Sequence, residues 1–182
     1  MKLIFNIFIF SLCLISSALA EEILTENVAG VVLYSADEHE AGLETETATG
    51  WKAKTQEVII NALSLTGIKY KFGGNSPETG FDCSGFVRYV FRNAANLTLP
   101  PTARAISQLG KTVKKDELQP GDLVFFNTLK SAFSHVGIYI GDNKFIHAPR
   151  SGATVRVENM QQSYWSSRFN GAQRLEKEAV EN

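Results

Sequence analysis

Two residue types in this 182-residue chain can move protons or form covalent bonds near neutral pH and are rare enough to be weighed one by one. The cysteines are Cys13 and Cys83, and the histidines are His39, His135 and His147. Cys83 stands in Phe81-Asp82-Cys83-Ser84-Gly85-Phe86, while His135 and His147 lie on two apolar segments separated by a short turn. A nucleophilic thiol needs a base to take its proton, and that base needs a third polar group to fix its tautomer. Cys83 as nucleophile, His135 as base and His147 as orienting group make such a set. A Cys-His-His zinc site would use the same side chains. No metal-type spacing such as H-E-x-x-H accompanies them, so neither a metal nor any other cofactor is expected.

The elements that must position these groups are legible nearby. Asp82 is a good helix N-cap, and Phe86, Val87, Val90 and Phe91 recur at helical spacing, so a buried helix should begin at the cysteine. The first turn of a helix favours a thiolate, and such sites can lower a cysteine pKa from about 8.5 to roughly 3.5–7.5. Before it, Val58, Ile59, Ala62, Leu63 and Leu65 form a helical stripe ending at Gly67, and Gly73-Gly74 allows a tight turn after Tyr70. Asn75 to Gly80 reads as a loop, and Thr102 caps a short helix running to Leu109.

After Lys111 the period changes to that of strands. Asp122–Phe126, His135–Ile140, Lys144–Ala148, Thr154–Val157 and Gly171–Leu175 are the strand segments, with Gly141-Asp142-Asn143 as a hairpin turn. A two-residue turn pairing Gly141 with Lys144 would put His135 and His147 on opposite faces of the sheet. A catalytic pair therefore requires a three-residue loop or a bulge at Gly141. Helices first and an antiparallel sheet after them predict an α+β fold, with the Cys83 helix packed on the sheet.

Composition narrows the class. Apolar residues make up 44% and charged residues 20%, as in ordinary globular proteins. Residues 1–20 combine Lys2, the apolar run from Leu3 to Phe10 and an Ala18-Leu19-Ala20 end, a secretory signal peptide that excludes stable membrane insertion after cleavage. Cys13 lacks the preceding small residue that a lipoprotein site needs, so no lipidation is expected there. Export leaves Cys83 as a lone thiol in a compartment where thiols pair, which points to reactivity. Residues 21–50 hold eight acidic groups and no Lys or Arg and read as a flexible acidic linker. Residues 51–176 are the domain and 177–182 a tail. Residues 51–182 hold 17 Lys and Arg against 11 Asp and Glu, a basic balance suited to an anionic polymer. The basic residues are scattered and the chain is exported, so nucleic acid is a poor partner.

Tyr70-Lys71-Phe72-Gly73-Gly74, Phe81-Asp82-Cys83-Ser84-Gly85-Phe86-Val87, Leu118-Gln119-Pro120-Gly121-Asp122, His135-Val136-Gly137-Ile138 and Phe145-Ile146-His147-Ala148 resemble the motifs of the NlpC family of papain-like bacterial cell-wall peptidases. The resemblance runs in order over about residues 55–175. It implies a papain-like fold, Cys83 as nucleophile, His135 as base, His147 as third member and a Tyr70 hydroxyl beside the oxyanion. It also implies that Asp82 and Ser84 contact the substrate's amine. The layout is similar to small Gram-negative members. The expected protein is thus an exported, periplasmic or secreted, monomeric cysteine endopeptidase acting on peptidoglycan stem peptides. The bond between D-Ala and diaminopimelate is favoured, and that between D-Glu and diaminopimelate is the alternative. Pro101 departs from the family pattern of Arg or a small polar residue, with Arg104 further on. Two readings of other classes stand beside this one: a non-catalytic wall-binding protein, which would need no nucleophile, and an acyltransferase or lipid amidase. The latter would want an apolar entrance, which polar Asn75–Gly80 does not offer.

Overall fold

A computed structural model describes residues 36–128 and 131–176. The chain divides into two compact units, Met1–Thr47 and Ala48–Asn182. The signal-peptide reading of residues 1–20 and the tail 177–182 lie outside the described residues, as does the linker up to residue 35. From there the flexible-linker expectation needs correction. Helix α1 spans Ala36–Ser64, so the backbone is helical over the described part of the acidic stretch, residues 36–50. Alanine and glutamate are good helix formers, no proline interrupts the segment, and acidic residues favour the positive end of a helix. Among the described residues no helix is long and apolar enough to cross a membrane.

Within the second unit, α1 buries Val58, Ala62 and Leu65, one stripe at i, i+4, i+7. Leu63, read as part of that stripe, is exposed, as is Ile60. A two-residue hairpin follows, β1 (Asn75–Ser76) against β2 (Gly80–Phe81), where a loop was expected. Helix α2 is Cys83–Ala95, capped by Asp82, whose Oδ1 accepts from the Gly85 N–H at 2.7 Å. Its Phe86, Val87, Val90 and Phe91 are all buried, the face the sequence predicts. A short helix α3 (Ala103–Ile106) is capped by Thr102, ending a turn earlier than expected.

The sheet has six antiparallel strands: β3 (Lys111–Val113), β4 (Leu123–Phe126), β5 (His135–Gly141), β6 (Lys144–His147), β7 (Arg156–Asn159) and β8 (Phe169–Arg174), in the order β3-β8-β4-β5-β6-β7. A one-turn helix, α4 (Ser163–Ser166), precedes β8. Strand β7 begins two residues later than the pattern suggests. Residues 153–155 pair instead with the segment before the hairpin: Tyr70 N–H donates to the Ala153 carbonyl and Val155 N–H to that of Ile68, both at 2.8 Å. The sheet separates two cores. On one face Leu123, Phe125, Val136, Ile138 and Ile146 pack with α2; on the other Val124, Phe126, Tyr139, Phe145 and Trp165 form a second cluster. Alternation along each strand produces both. At the start of β4, Asp122 is buried and takes a two-pronged contact from Arg174 Nε and Nη2, each 2.8 Å, which ties β4 to β8.

Candidate active site

The turn between β5 and β6 decides where the histidines go. Asp142 and Asn143 are both left-handed, at φ 51° and 57°, a two-residue turn of the kind that suits hairpins. Gly141 pairs with Lys144, but the register then shifts between Tyr139 and Gly141, so that Tyr139 faces Phe145 and Ile138 faces Ile146. This bulge is the device the sequence requires. It puts His147 on the face of His135, and His135 Nε2 lies 2.7 Å from His147 Nδ1. Gly137 between them makes room, since a Cβ there would come 2.7 Å from the Phe145 ring and 3.2 Å from the His147 Cβ. Two ring nitrogens bonded to each other cannot both ligate a metal ion.

The nucleophile candidate meets the same strand from the other side. Cys83 opens α2 as a half-buried residue, and the N–H of Val136, next to His135, is turned toward its thiol. The predicted lowering of its pKa does not occur. Burial, reinforced by the Asp82 carboxylate, pushes the Cys83 thiol up to about 11 against the N–H groups of Val136, Ser84 and Cys83 itself. The dipole of one helix end is outweighed by desolvation of a charge. Burial likewise holds His135 well below the ordinary histidine value, with His147 adding to the effect and Glu158 opposing it.

These surroundings favour the neutral thiol of Cys83 and the neutral imidazole of His135. The sign of the pH dependence follows. A base of lowered pKa stays competent as pH falls below about 6.5 and is lost only on passing its own lower value. We expect kcat/KM to be flat from about pH 6.5 to 8 with its acid limb below that range, and Cys83 alkylation to rise with pH without a neutral plateau. An alkylation plateau near pH 6 would reveal a resting thiolate–imidazolium pair instead.

Tyr70 lies in the segment held by Ala153, beside Phe81. Burial first, then the Cys83 and Asp82 charges, raise its phenol pKa, so its hydroxyl stays a donor. Asp82 and Ser84, expected at the substrate amine, both have internal partners. Asp82 Oδ1 accepts from Gly85 N–H, its Oδ2 accepts from Gly73 N–H at 3.0 Å, and the buried Ser84 hydroxyl lies 3.0 Å from Asp82 Oδ1 and 2.9 Å from the Pro101 carbonyl. Arg104 is tied to the loop before β5, donating to Ser131 Oγ and the Ala132 carbonyl at 3.0 and 3.2 Å.

A match to the NlpC/P60 family model covers residues 67–174 and takes in every one of these residues. The chain belongs to the NlpC/P60 family. Among curated relatives, it is 42% identical over 109 residues to Escherichia coli "Murein DD-endopeptidase MepS/Murein LD-carboxypeptidase", covering 60% of this chain and 56% of that one. It is 41% identical over 120 residues to the Bacillus subtilis "Gamma-DL-glutamyl hydrolase", covering 65% of this chain and 29% of that one. The chain thus spans about half or less of these relatives' length. A solved NlpC/P60 family protein from Bacillus cereus superposes with a TM-score of 0.61 at 33% identity, over 66% of this chain and 39% of that one. The α+β, papain-like architecture is that of this family.

Two residues of the site escape a sequence reading. Trp165 of α4 stacks on His135, centroids 5.7 Å apart at 26°, and meets His147 edge-on at 5.0 Å. Glu158 of β7 has its Oε2 3.8 Å from His147 Nε2. The signal that could have found Glu158 is the alternation of β7, which puts it on the His147 face once the register is known.

Proposed function

We propose that this protein is a peptidoglycan hydrolase, a cysteine endopeptidase acting on diaminopimelate-containing stem peptides outside the cytoplasm. The observation that carries the reading is the buried His135–His147 bond on the strand whose next N–H faces the Cys83 thiol. In this reaction Cys83 Sγ attacks the amide carbonyl while its proton passes to His135 Nδ1, the ring nitrogen not taken by His147. The oxyanion takes donors from the first turn of α2 and from the Tyr70 hydroxyl. His135 returns the proton to the leaving amine, and water then attacks the thioester, with His135 again as base, to release the acid. Asp82 holds Gly73 and Gly85 together at the substrate edge of this site and offers a carboxylate to a substrate amine, with Ser84 bracing it.

The cross-link between D-Ala and diaminopimelate is our favoured bond, in keeping with the DD-endopeptidase activity for which MepS is named. Cleavage between D-Glu and diaminopimelate is the second reading, supported by the nearly equal identity to the gamma-DL-glutamyl hydrolase. Digestion of purified sacculi, followed by mass analysis of the released muropeptides, tests both. Loss of cross-linked dimers with gain of intact monomers is the expected result. Truncated stems ending at D-Glu would favour the second bond. Unchanged sacculi under reducing conditions would overturn the proposal.

A further inference from the structure

We infer that Glu158 is a fourth member of the proton-handling chain, a positioning residue that fixes the tautomers of His147 and, through it, of His135. The inference rests on the Cys83–His135 reading above and goes beyond it.

His147 is fully buried, and its Nε2 takes no hydrogen bond at the distances in the structure. The polar group in front of it is Glu158 Oε2, at 3.8 Å. Closing to a hydrogen bond of about 2.9 Å needs a shift of roughly one ångström. The carboxylate is itself held: Arg156 Nε and Nη2 both donate to Oε1, and the Trp165 indole N–H donates to Oε2. The register makes this placement. Arg156 sits directly across from His147 and Glu158 across from Phe145, so all four share one face of the β6–β7 pair.

The direction of the hydrogen bonds then follows from counting protons. For His135 Nδ1 to accept the Cys83 proton, neutral His135 must carry its own proton on Nε2. That N–H points at His147 Nδ1, which must be a bare acceptor. His147 therefore carries its proton on Nε2, and only an acceptor belongs there. A carboxylate is acceptor-only, and Glu158 stays ionised. The neighbouring His147, the Arg156 guanidinium and the Trp165 indole hold its carboxyl down at about 2 against the effect of burial. The chain reads Cys83 S–H to His135 Nδ1, His135 Nε2–H to His147 Nδ1, and His147 Nε2–H to Glu158, with one proton moving during attack and none lost.

The charged and titratable groups around this chain are His135 from β5, Arg156 from β7, and Arg150 and Tyr164. The last two wall a cavity of about 380 Å³ that Glu158, Arg156 and Trp165 also line. Glu158 raises the affinity of His135 for a proton. Its removal should therefore move the acid limb of kcat/KM to lower pH.

The test is Glu158→Gln in the full chain. The isosteric amide can donate to His147 Nε2, which inverts both tautomers and puts the His135 proton on the nitrogen that must receive one. We expect kcat to fall about 10–100-fold with KM within twofold, the range that loss of an outer partner produces elsewhere. Glu158→Asp should recover part of the loss. In ¹⁵N spectra of the histidine side chains, His147 should be protonated at Nε2 in the parent and at Nδ1 in Glu158→Gln. A purely structural Glu158 would lower the melting temperature but leave the tautomer and the acid limb in place, and that outcome overturns the inference. His147→Ala separates the two levels. If it loses activity while Glu158→Gln retains it, only the fourth member fails. If it retains activity, the histidine-pair reading fails with it.

Discussion

Replacing Cys83 with alanine is expected to leave sacculi undigested, a fall of about 10⁵–10⁶ in kcat. The thiol is the covalent centre of the proposed reaction, and Cys83 is the only cysteine among the described residues. Surroundings that favour its neutral form sharpen the expectation for Cys83→Ser. A hydroxyl has a far higher pKa than even this raised thiol, and the surroundings that disfavour a thiolate disfavour an alkoxide more. The serine variant should be as inactive as the alanine variant while folding normally, since a cysteine at a helix start tolerates either residue. The measurement is muropeptide release from sacculi, with thermal melting as the control for fold. Appreciable turnover by Cys83→Ala would place the chemistry elsewhere and sink the proposed mechanism.

Gly85→Ala is expected to destabilise the domain by about 2–4 kcal/mol, although alanine is the better helix former by about 1 kcal/mol. A Cβ at position 85 would lie 2.0 Å from the Gly74 carbonyl oxygen and 3.1 Å from its carbon. Those are backbone atoms, fixed in turn by Gly74 N–H bonding the Lys71 carbonyl at 2.8 Å and by Asp82 N–H bonding the Gly74 carbonyl at 3.0 Å. No rotamer change can relieve the clash, so α2 and the Tyr70–Gly74 segment must separate. Thermal denaturation should show a drop of roughly 5–15 °C for a domain of this size. Activity should fall further than folding alone explains, because the same displacement carries Tyr70 away from Cys83. An unchanged or raised melting temperature would mean that the loop moves freely over the helix.

The site differs in how its parts are specified. The start of α2, its buried face and the Asp82 cap are written in adjacent residues, because an N-cap and a helical stripe are local properties. The bulge before Gly141 is also inferable, since only a shifted register brings two histidines of one hairpin to one face. The acidic segment shows where this kind of reading fails: its low apolar content argues against a packed element, yet its residues favour helix, and the backbone is helical from Ala36. Leu63 matches a helical stripe by spacing but is exposed, because a stripe is wider than the surface the helix actually meets.

What the sequence by itself determined is therefore the α+β order of elements, the helix that opens at Cys83 and the shared face of His135 and His147. Only the tertiary structure decided the state of those groups. The thiol's pKa is set by how much protein surrounds it, and burial there exceeds the pull of one helix end. Glu158 reaches His147 because β7 pairs with β6 in one register, eleven residues along the chain and with half of the expected strand diverted to the Tyr70 segment. Nothing local fixes such a pairing. It follows from the packing of Trp165, Phe145 and Phe126 over the histidine face, a long-range contact among residues that no spacing connects.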